Sequence, residues 1–147
     1  MKGRLLIVDD EVELMTVLRE LVTREGYEAV GVTSPAAALA ALRESEFDLL
    51  LTDLKMPGMD GLTLLRAALD LQPQIVCVMM TGQGAVESAV EAMQAGAYDY
   101  MLKPFKANAV LAVLSRALEA RHLRLENARM AQAERRNAAE LARLHEQ

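Results

Sequence analysis

The chain has 147 residues, 52% of them apolar, which is enough for one packed domain with an appendage. Its formal net charge of −5 argues against a general nucleic-acid-binding surface, because proteins that bind phosphates usually carry basic patches. The single cysteine, Cys77, excludes a disulfide framework and a cysteine metal site, and it fits a reducing compartment. The apolar stretch near the N-terminus is too short for a signal peptide or a membrane span, so we expect a cytoplasmic protein.

The chain contains five short apolar runs, and each is followed by a helical pattern. They cover residues 5–8, 28–32, 48–52, 75–80 and 98–102. The third and fourth runs are apolar throughout, which is typical of central parallel strands covered on both faces. The alternation predicts an α/β domain over residues 1–120. We expect a doubly wound, five-stranded parallel sheet with the flavodoxin-like order 2-1-3-4-5.

The segment after Pro104 contains neither glycine nor proline and is rich in helix-forming residues. It predicts one helix of about forty residues, in which residues 121–147 continue the last domain helix as a linker. Two heptad frames describe its apolar residues, Leu111, Leu114, Leu118 and Leu125 in one and Leu123, Met130, Leu141 and Leu144 in the other. This spacing favours a homodimeric coiled coil with a frame shift, and the alternative is a solvated, fraying helix.

Reactive or charged residues end four of the five predicted strands. Asp9 and Asp10 follow the first strand, Asp53 the third, Thr81 the fourth and Lys103 the fifth. Ligands of doubly wound sheets bind at the carboxyl ends of the strands, where the strand order reverses. With the order 2-1-3-4-5, the first and third strands are neighbours there, so three carboxylates would share one pocket.

Three carboxylates so close together repel unless a cation neutralises them, and all-oxygen ligands on rigid loops suit Mg²⁺. We expect Asp10 and Asp53 to be direct ligands, while Lys103 and Thr81 contact a bound phosphoryl group. Each residue alone has an ordinary explanation. The acidic pair beside Glu11 could simply start a helix, Thr81 could be a turn residue, and Lys103 could be a surface lysine. Their convergence on one edge favours the site.

Four segments resemble the receiver domain of bacterial two-component response regulators. They are LIVDDE at 6–11, TDLKMPGMDG at 52–61, MTG at 80–82 and GAYDYMLKPF at 96–105. The resemblance implies that Asp53 accepts a phosphoryl group from a phosphohistidine of a sensor histidine kinase, acting as an acceptor and not as a turnover enzyme. It also implies that Asp9 and Asp10 hold Mg²⁺ and that the backbone carbonyl of Lys55 completes the protein ligands.

The same resemblance implies a switch. Thr81 and Lys103 would contact the phosphoryl oxygens, Thr81 would move, and Tyr100 would rotate inward, changing the output face and the dimer state. A cis peptide bond is implied between Lys103 and Pro104. Within the family the chain is most similar to receivers of enhancer-binding (sigma-54-dependent) transcription regulators. Because it stops in mid-helix at Gln147, we expect an effector domain that this chain does not contain.

Two alternatives belong to other functional classes. A magnesium-dependent phosphatase of the haloacid-dehalogenase type also combines an aspartyl phosphate with a threonine and a lysine. Its nucleophile, however, ends the first strand in an Asp-x-Asp pattern, whereas Asp9 and Asp10 are adjacent here. The other alternative is a receiver-like dimer scaffold that is never phosphorylated, which the complete set of site residues disfavours.

Overall fold

The computed structural model describes residues 2–82 and 86–145, in which strands and helices alternate. The strands are β1 (Arg4–Val8), β2 (Glu28–Val32), β3 (Leu49–Asp53), β4 (Val76–Thr81) and β5 (Asp99–Leu102). The helices are α1 (Val12–Arg24), α2 (Pro35–Glu44), α3 (Gly61–Leu71), α4 (Val86–Ala95) and α5 (Ala107–His145).

The five strands form one parallel sheet in the order β2-β1-β3-β4-β5. Every residue of β3 and β4 is buried, because helices cover both faces of the sheet. Helices α2, α3 and α4 pack on one face, and α1 and α5 pack on the other. The predicted fold class and strand order are therefore confirmed.

Several strand boundaries differ by one residue from the prediction. Strand β4 starts at Val76 because the backbone N–H of Ile75 closes a turn by donating to the carbonyl of Gln72. At the other end β3 includes Asp53, and the ladder continues when the N–H of Leu54 donates to the carbonyl of Met80 at 2.8 Å. The sheet therefore extends as a rigid platform up to the residues of the predicted site.

Helix α2 begins with a serine and a proline, a combination that is typical of helix starts. Ser34 is the N-cap, its hydroxyl accepts a hydrogen bond from the N–H of Ala37 at 3.2 Å, and Pro35 occupies the first helical position. Gly96 follows α4 with a φ of 116°, a left-handed conformation that favours glycine after a helix.

Helix α5 has 39 residues and changes character along its length. Its first part packs on the sheet through Val110, Val113, Leu114 and Ala117. Beyond residue 121 the described residues are exposed except for partial burial at 125 and 133. Leu123, Met130, Leu141 and Leu144 are each between 50% and 62% exposed. The long helix is confirmed, while the coiled coil stays a prediction.

The helices of residues 2–82 and 86–145 can be compared with the requirements of a membrane span. None of these helices combines the length and the apolar character that a membrane crossing requires.

Candidate functional site

Lys103 lies at the centre of the candidate site. It follows β5, and its Nζ donates to Oδ2 of Asp9 at 2.9 Å and to Oδ2 of Asp53 at 3.1 Å. Its backbone N–H donates to the carbonyl of Thr81 at 2.7 Å, which fixes the start of the loop against β4. The peptide bond between Lys103 and Pro104 is cis, as the resemblance implies. Side chains from the ends of three strands thus meet at one ammonium group.

The three aspartates of the site offer carboxylate oxygens that all lie within 4.8 Å of one another. Asp9 and Asp53 are buried, whereas Asp10 is exposed. Both oxygens of Asp9 are engaged, since Oδ1 accepts from the N–H of Glu11 at 2.9 Å and Oδ2 accepts from Lys103. The ionised cluster carries three negative charges against one ammonium, so a divalent cation would balance it. Hard oxygen donors are the ligands that Mg²⁺ prefers, and the donor set fits this ion.

Burial and charge shape the titration of the site. Burial is the largest influence on Asp53 and raises its pKa, while the hydrogen bond and the charge of Lys103 act in the opposite direction. The charge of Asp9 raises this pKa further, and the net pKa of Asp53 is above its ordinary value. Burial lowers the pKa of Lys103, but hydrogen bonds to Asp9 and Asp53 outweigh it, so the net pKa is raised. Lys103 is therefore a stable cation at neutral pH.

Thr81 and Lys55 lie around this cluster. Thr81 is the last residue of β4, which neighbours β3, and its buried hydroxyl donates to the carbonyl of Gly82 at 3.3 Å. Lys55 is exposed, two residues beyond Asp53. The structure therefore brings both residues to the edge of the sheet on which the aspartates lie.

Tyr100 lies away from the carboxylates. It belongs to β5, is 40% exposed, and lines a shallow groove with Ala89, Val90 and Met93 of α4. The two predicted switch residues thus occupy opposite surroundings, with Thr81 buried at the edge of the site and Tyr100 on the outer surface.

Three residues near the site were not predicted. Glu11 lies 3.8 Å from Lys103 Nζ through Oε1, and Asp60 caps α3 by accepting from the N–H of Thr63 at 2.8 Å. Gly61 starts α3, and its N–H donates to the carbonyl of Leu54 at 2.7 Å. An Asp-Gly pair before a helical pattern was the available signal for the last two.

Residues 5–115 match the family model described as response regulator receiver domain. This chain belongs to that family. Receiver domains are signalling domains of two-component response regulators, and the fold described above is shared with solved receivers.

Curated relatives of this receiver are named as regulators. The response regulator protein FleR of Pseudomonas aeruginosa is 41% identical over 116 residues, covering 79% of this chain and 24% of the relative. The C4-dicarboxylate transport transcriptional regulatory protein DctD of Rhizobium meliloti is 36% identical, covering 92% of this chain and 28% of the relative. The predicted resemblance to receivers of transcription regulators is confirmed. This chain spans only about a quarter of the length of these relatives.

Solved structures give the same result. NtrX from Brucella abortus superimposes with a TM-score of 0.84 at 36% identity, covering 88% of this chain and 30% of that one. A CheY-like response regulator receiver domain protein from Methanospirillum hungatei superimposes with a TM-score of 0.79 at 31% identity. That alignment covers 82% of this receiver and 97% of the other chain.

Proposed function

We propose that this receiver is the phosphoacceptor of a two-component system, in which Asp53 takes a phosphoryl group from a phosphohistidine of a sensor histidine kinase. The observation that carries the proposal is the position of Lys103 Nζ, which is hydrogen-bonded to both Asp9 and Asp53. An ammonium between two carboxylates, with Asp10 beside them, is complementary to a phosphoryl group held near a metal ion.

Magnesium is the proposed cofactor. Asp9, Asp10 and Asp53 would hold the ion, and the backbone carbonyl of Lys55 would be a further ligand. When bound, Mg²⁺ supplies positive charge that offsets the negative charge of the transferring phosphoryl group.

The residues of this chain perform the transfer. An oxygen of the ionised Asp53 attacks phosphorus in line, and a new O–P bond forms as the bond between phosphorus and the histidine nitrogen breaks. The leaving imidazole keeps the electron pair of the broken bond. Lys103 then pairs with a phosphoryl oxygen, and the hydroxyl of Thr81 donates to another. The product is a modified receiver, so the chain acts as a stoichiometric acceptor and not as a turnover enzyme.

Phosphorylation would then change the output face. Movement of Thr81 towards the phosphoryl group opens space behind it, and Tyr100 rotates from its exposed position into that space. The two packings exist in equilibrium, and the added charge shifts their populations.

We also propose partners for the whole protein. Residues 1–120 form the receiver and residues 121–147 form a helical linker that pairs two chains into a homodimer. An effector domain outside this chain would respond to the change in the output face. The phosphoryl transfer would take place in the cytoplasm.

Incubation with acetyl phosphate and Mg²⁺ followed by intact mass measurement tests the proposal. Wild type is expected to gain one phosphoryl group, and Asp53→Asn is expected to gain none. Asp70→Asn is a matched control, since Asp70 is an exposed aspartate of α3, and it should be modified like wild type.

Two outcomes would contradict the proposal. Modification that persists in Asp53→Asn would refute Asp53 as the acceptor. Steady hydrolysis of a small phosphomonoester, abolished by Asp9→Asn, would instead indicate a phosphatase.

A further inference from the structure

Helix α5 also contacts residues that precede β3 and β4, at the amino-terminal ends of the strands and opposite the site. There Arg121 Nε donates to the carbonyl of Gln74 at 3.0 Å, and Nη1 lies 3.0 Å from Oδ1 of Asp48. The Arg121 side chain is 22% exposed, whereas that of Arg116, which lies 3.7 Å from Asp99, is 63% exposed. Arg121 is therefore held by two partners in a partly buried setting, while Arg116 makes an ordinary surface pair.

Asp48 is itself a fixed anchor. Its Oδ2 accepts from the N–H of Arg4 at 2.7 Å, and its own N–H donates to the carbonyl of Arg4 at 2.8 Å. Its carbonyl accepts from the N–H of Val76 at 3.1 Å. Because Asp48 is bonded to residues of β1 and β4 on either side, it cannot follow a movement of the helix. An ion pair to this residue ties α5 to the sheet itself.

The anchor lies immediately before the strand that ends in the proposed phosphoacceptor. Asp48 directly precedes β3, and Asp53 is its last residue. All five residues of β3 are buried, and the strand spans roughly 16 Å at its usual rise per residue. Arg121 is therefore joined to one end of a rigid strand whose other end is the site.

The rotation of α5 decides where its exposed apolar stripe points. At about 100° per residue, the stripe of Leu123, Met130, Leu141 and Leu144 lies roughly 150° around the helix from the sheet-facing residues Val110, Val113, Leu114 and Ala117. A second copy could pack on that stripe without displacing the receiver. The stripe keeps this direction only while the helix is held in one rotational setting where it leaves the domain.

We propose that Arg121, through Asp48 and the carbonyl of Gln74, is a clamp that fixes the direction and the rotation of the described linker residues beyond it (122–145) relative to β3. The clamp gives the receiver a rigid connection to whatever follows the linker. Its role in signalling rests on the proposed phosphoacceptor function, whereas its mechanical role does not.

Distances between two spin labels test the clamp in the full chain. Cysteines replacing the exposed Glu44 and Gln132 carry the labels, and the buried Cys77 is protected from labelling. Labelled chains are diluted with unlabelled chains, so only distances within one chain are measured. Wild type is expected to give one narrow distance distribution. Arg121→Gln is expected to give a broader one.

Matched variants separate the clamp from general destabilisation. Arg116→Gln should keep the narrow distribution. Asp48→Asn, which retains an acceptor for Arg4, should lose it as Arg121→Gln does, and the combined variant should be no worse than either single change. If Arg121→Gln fails to fold, Arg121→Lys takes its place, because lysine keeps the charge but lacks the fork that reaches two partners.

An unchanged distribution in Arg121→Gln, or an equal loss in Arg116→Gln, would overturn the clamp. Acetyl phosphate labelling of the same samples reports separately on Asp53. Wild type that is not modified would refute the proposed function and leave the distance result intact.

Discussion

Lys103 determines how the carboxylates of the site can coexist. Asp9 is fully buried, and an uncompensated buried charge is costly, so Lys103 makes its ionised form tolerable. Compensation is incomplete, because Lys103 is shared with Asp53 and approached by Glu11. The remaining negative charge is what makes the cluster suited to a divalent cation.

Gly61 limits the shape of the site through its lack of a side chain. A Cβ there would collide with the carbonyl oxygen of Asp53 and lie 2.8 Å from Cα of Leu54. Alanine favours a helix over glycine by about 1 kcal/mol, but these neighbours are backbone atoms that cannot rotate away. We expect Gly61→Ala to destabilise the fold by about 1–3 kcal/mol and to slow phosphorylation, as measured by urea unfolding and acetyl phosphate labelling.

Gly82 provides the control for this substitution, since a Cβ there would meet nothing within 4 Å. Gly82→Ala should change the free energy of unfolding by less than about 0.5 kcal/mol. Equal stability of the two variants would show that α3 can shift away from Asp53 at no cost.

The sequence predicted the site residues unevenly. The meeting of Asp9, Asp53 and Lys103 was predictable because each lies at or just after the end of a strand, and parallel strands bring their carboxyl ends to one edge. Gly61 was not found, because its contact with Asp53 depends on the path of the loop between β3 and α3. Strand patterns do not encode that path.

At the scale of elements, the loop from β3 to α3 connects the geometry of the candidate site with the stability of α3. It leaves Asp53 and ends at Asp60, which caps α3 through the N–H of Thr63. The backbone hydrogen bond from Thr63 is the main cause that lowers the pKa of Asp60. An ionised carboxylate at the N-cap also interacts favourably with the positive end of the helix dipole.

Stability should therefore depend on pH through Asp60. Because folding lowers its pKa, ionised Asp60 stabilises the fold above the ordinary pKa of aspartate and stops doing so as the pH falls through the lower folded value. We expect Asp60→Ala to cost about 1 kcal/mol at neutral pH and less in acid, as measured by urea unfolding.

Asp60→Asn separates the cap from the charge, because asparagine caps a helix but does not titrate. Relative to Asp60→Ala, its stability advantage should stay constant with pH. An Asp60→Ala penalty that does not shrink in acid would mean that the charge of Asp60 contributes nothing.

The order of the elements was predictable, and most strand boundaries were predicted to within one residue. The fully apolar runs that became β3 and β4 identify central strands, and Ser34 with Pro35 marks the start of α2. The first residue of a strand is less predictable, because turns such as the one from Gln72 to Ile75 before β4 are set by hydrogen bonds that no local pattern shows.

At the scale of the whole molecule, an acidic receiver carries a long exposed helix. The apolar stripe of the linker is interrupted by polar positions such as Asn137, which favours weak and reversible pairing over a permanent coiled coil. The helix itself followed from composition. The contact of Arg121 with Asp48 did not, because residues 48 and 121 are brought together only by the completed sheet.

Pairing through the stripe predicts a specific response to charge. We expect Leu141→Glu combined with Leu144→Glu to weaken self-association at least about tenfold, equivalent to about 1.4 kcal/mol, because both leucines would be buried against a second copy. Sedimentation over a range of concentrations measures this. Gln132→Glu adds charge outside the stripe and should have little effect, and a wild-type chain that stays monomeric would contradict the pairing.

Cys77 offers a probe of how the whole molecule opens. It lies inside β4, and burial raises the pKa of its thiol to about 12, against a smaller opposing effect of the Arg124 charge. Because the thiolate is the reactive form, a thiol reagent should modify Cys77 only when unfolding exposes it. Mg²⁺ with beryllofluoride should slow this modification, because a ligand that binds the folded state stabilises it. A cysteine replacing exposed Gln132 should react quickly under the same conditions. Equally fast reaction of Cys77 would mean that β4 opens without global unfolding.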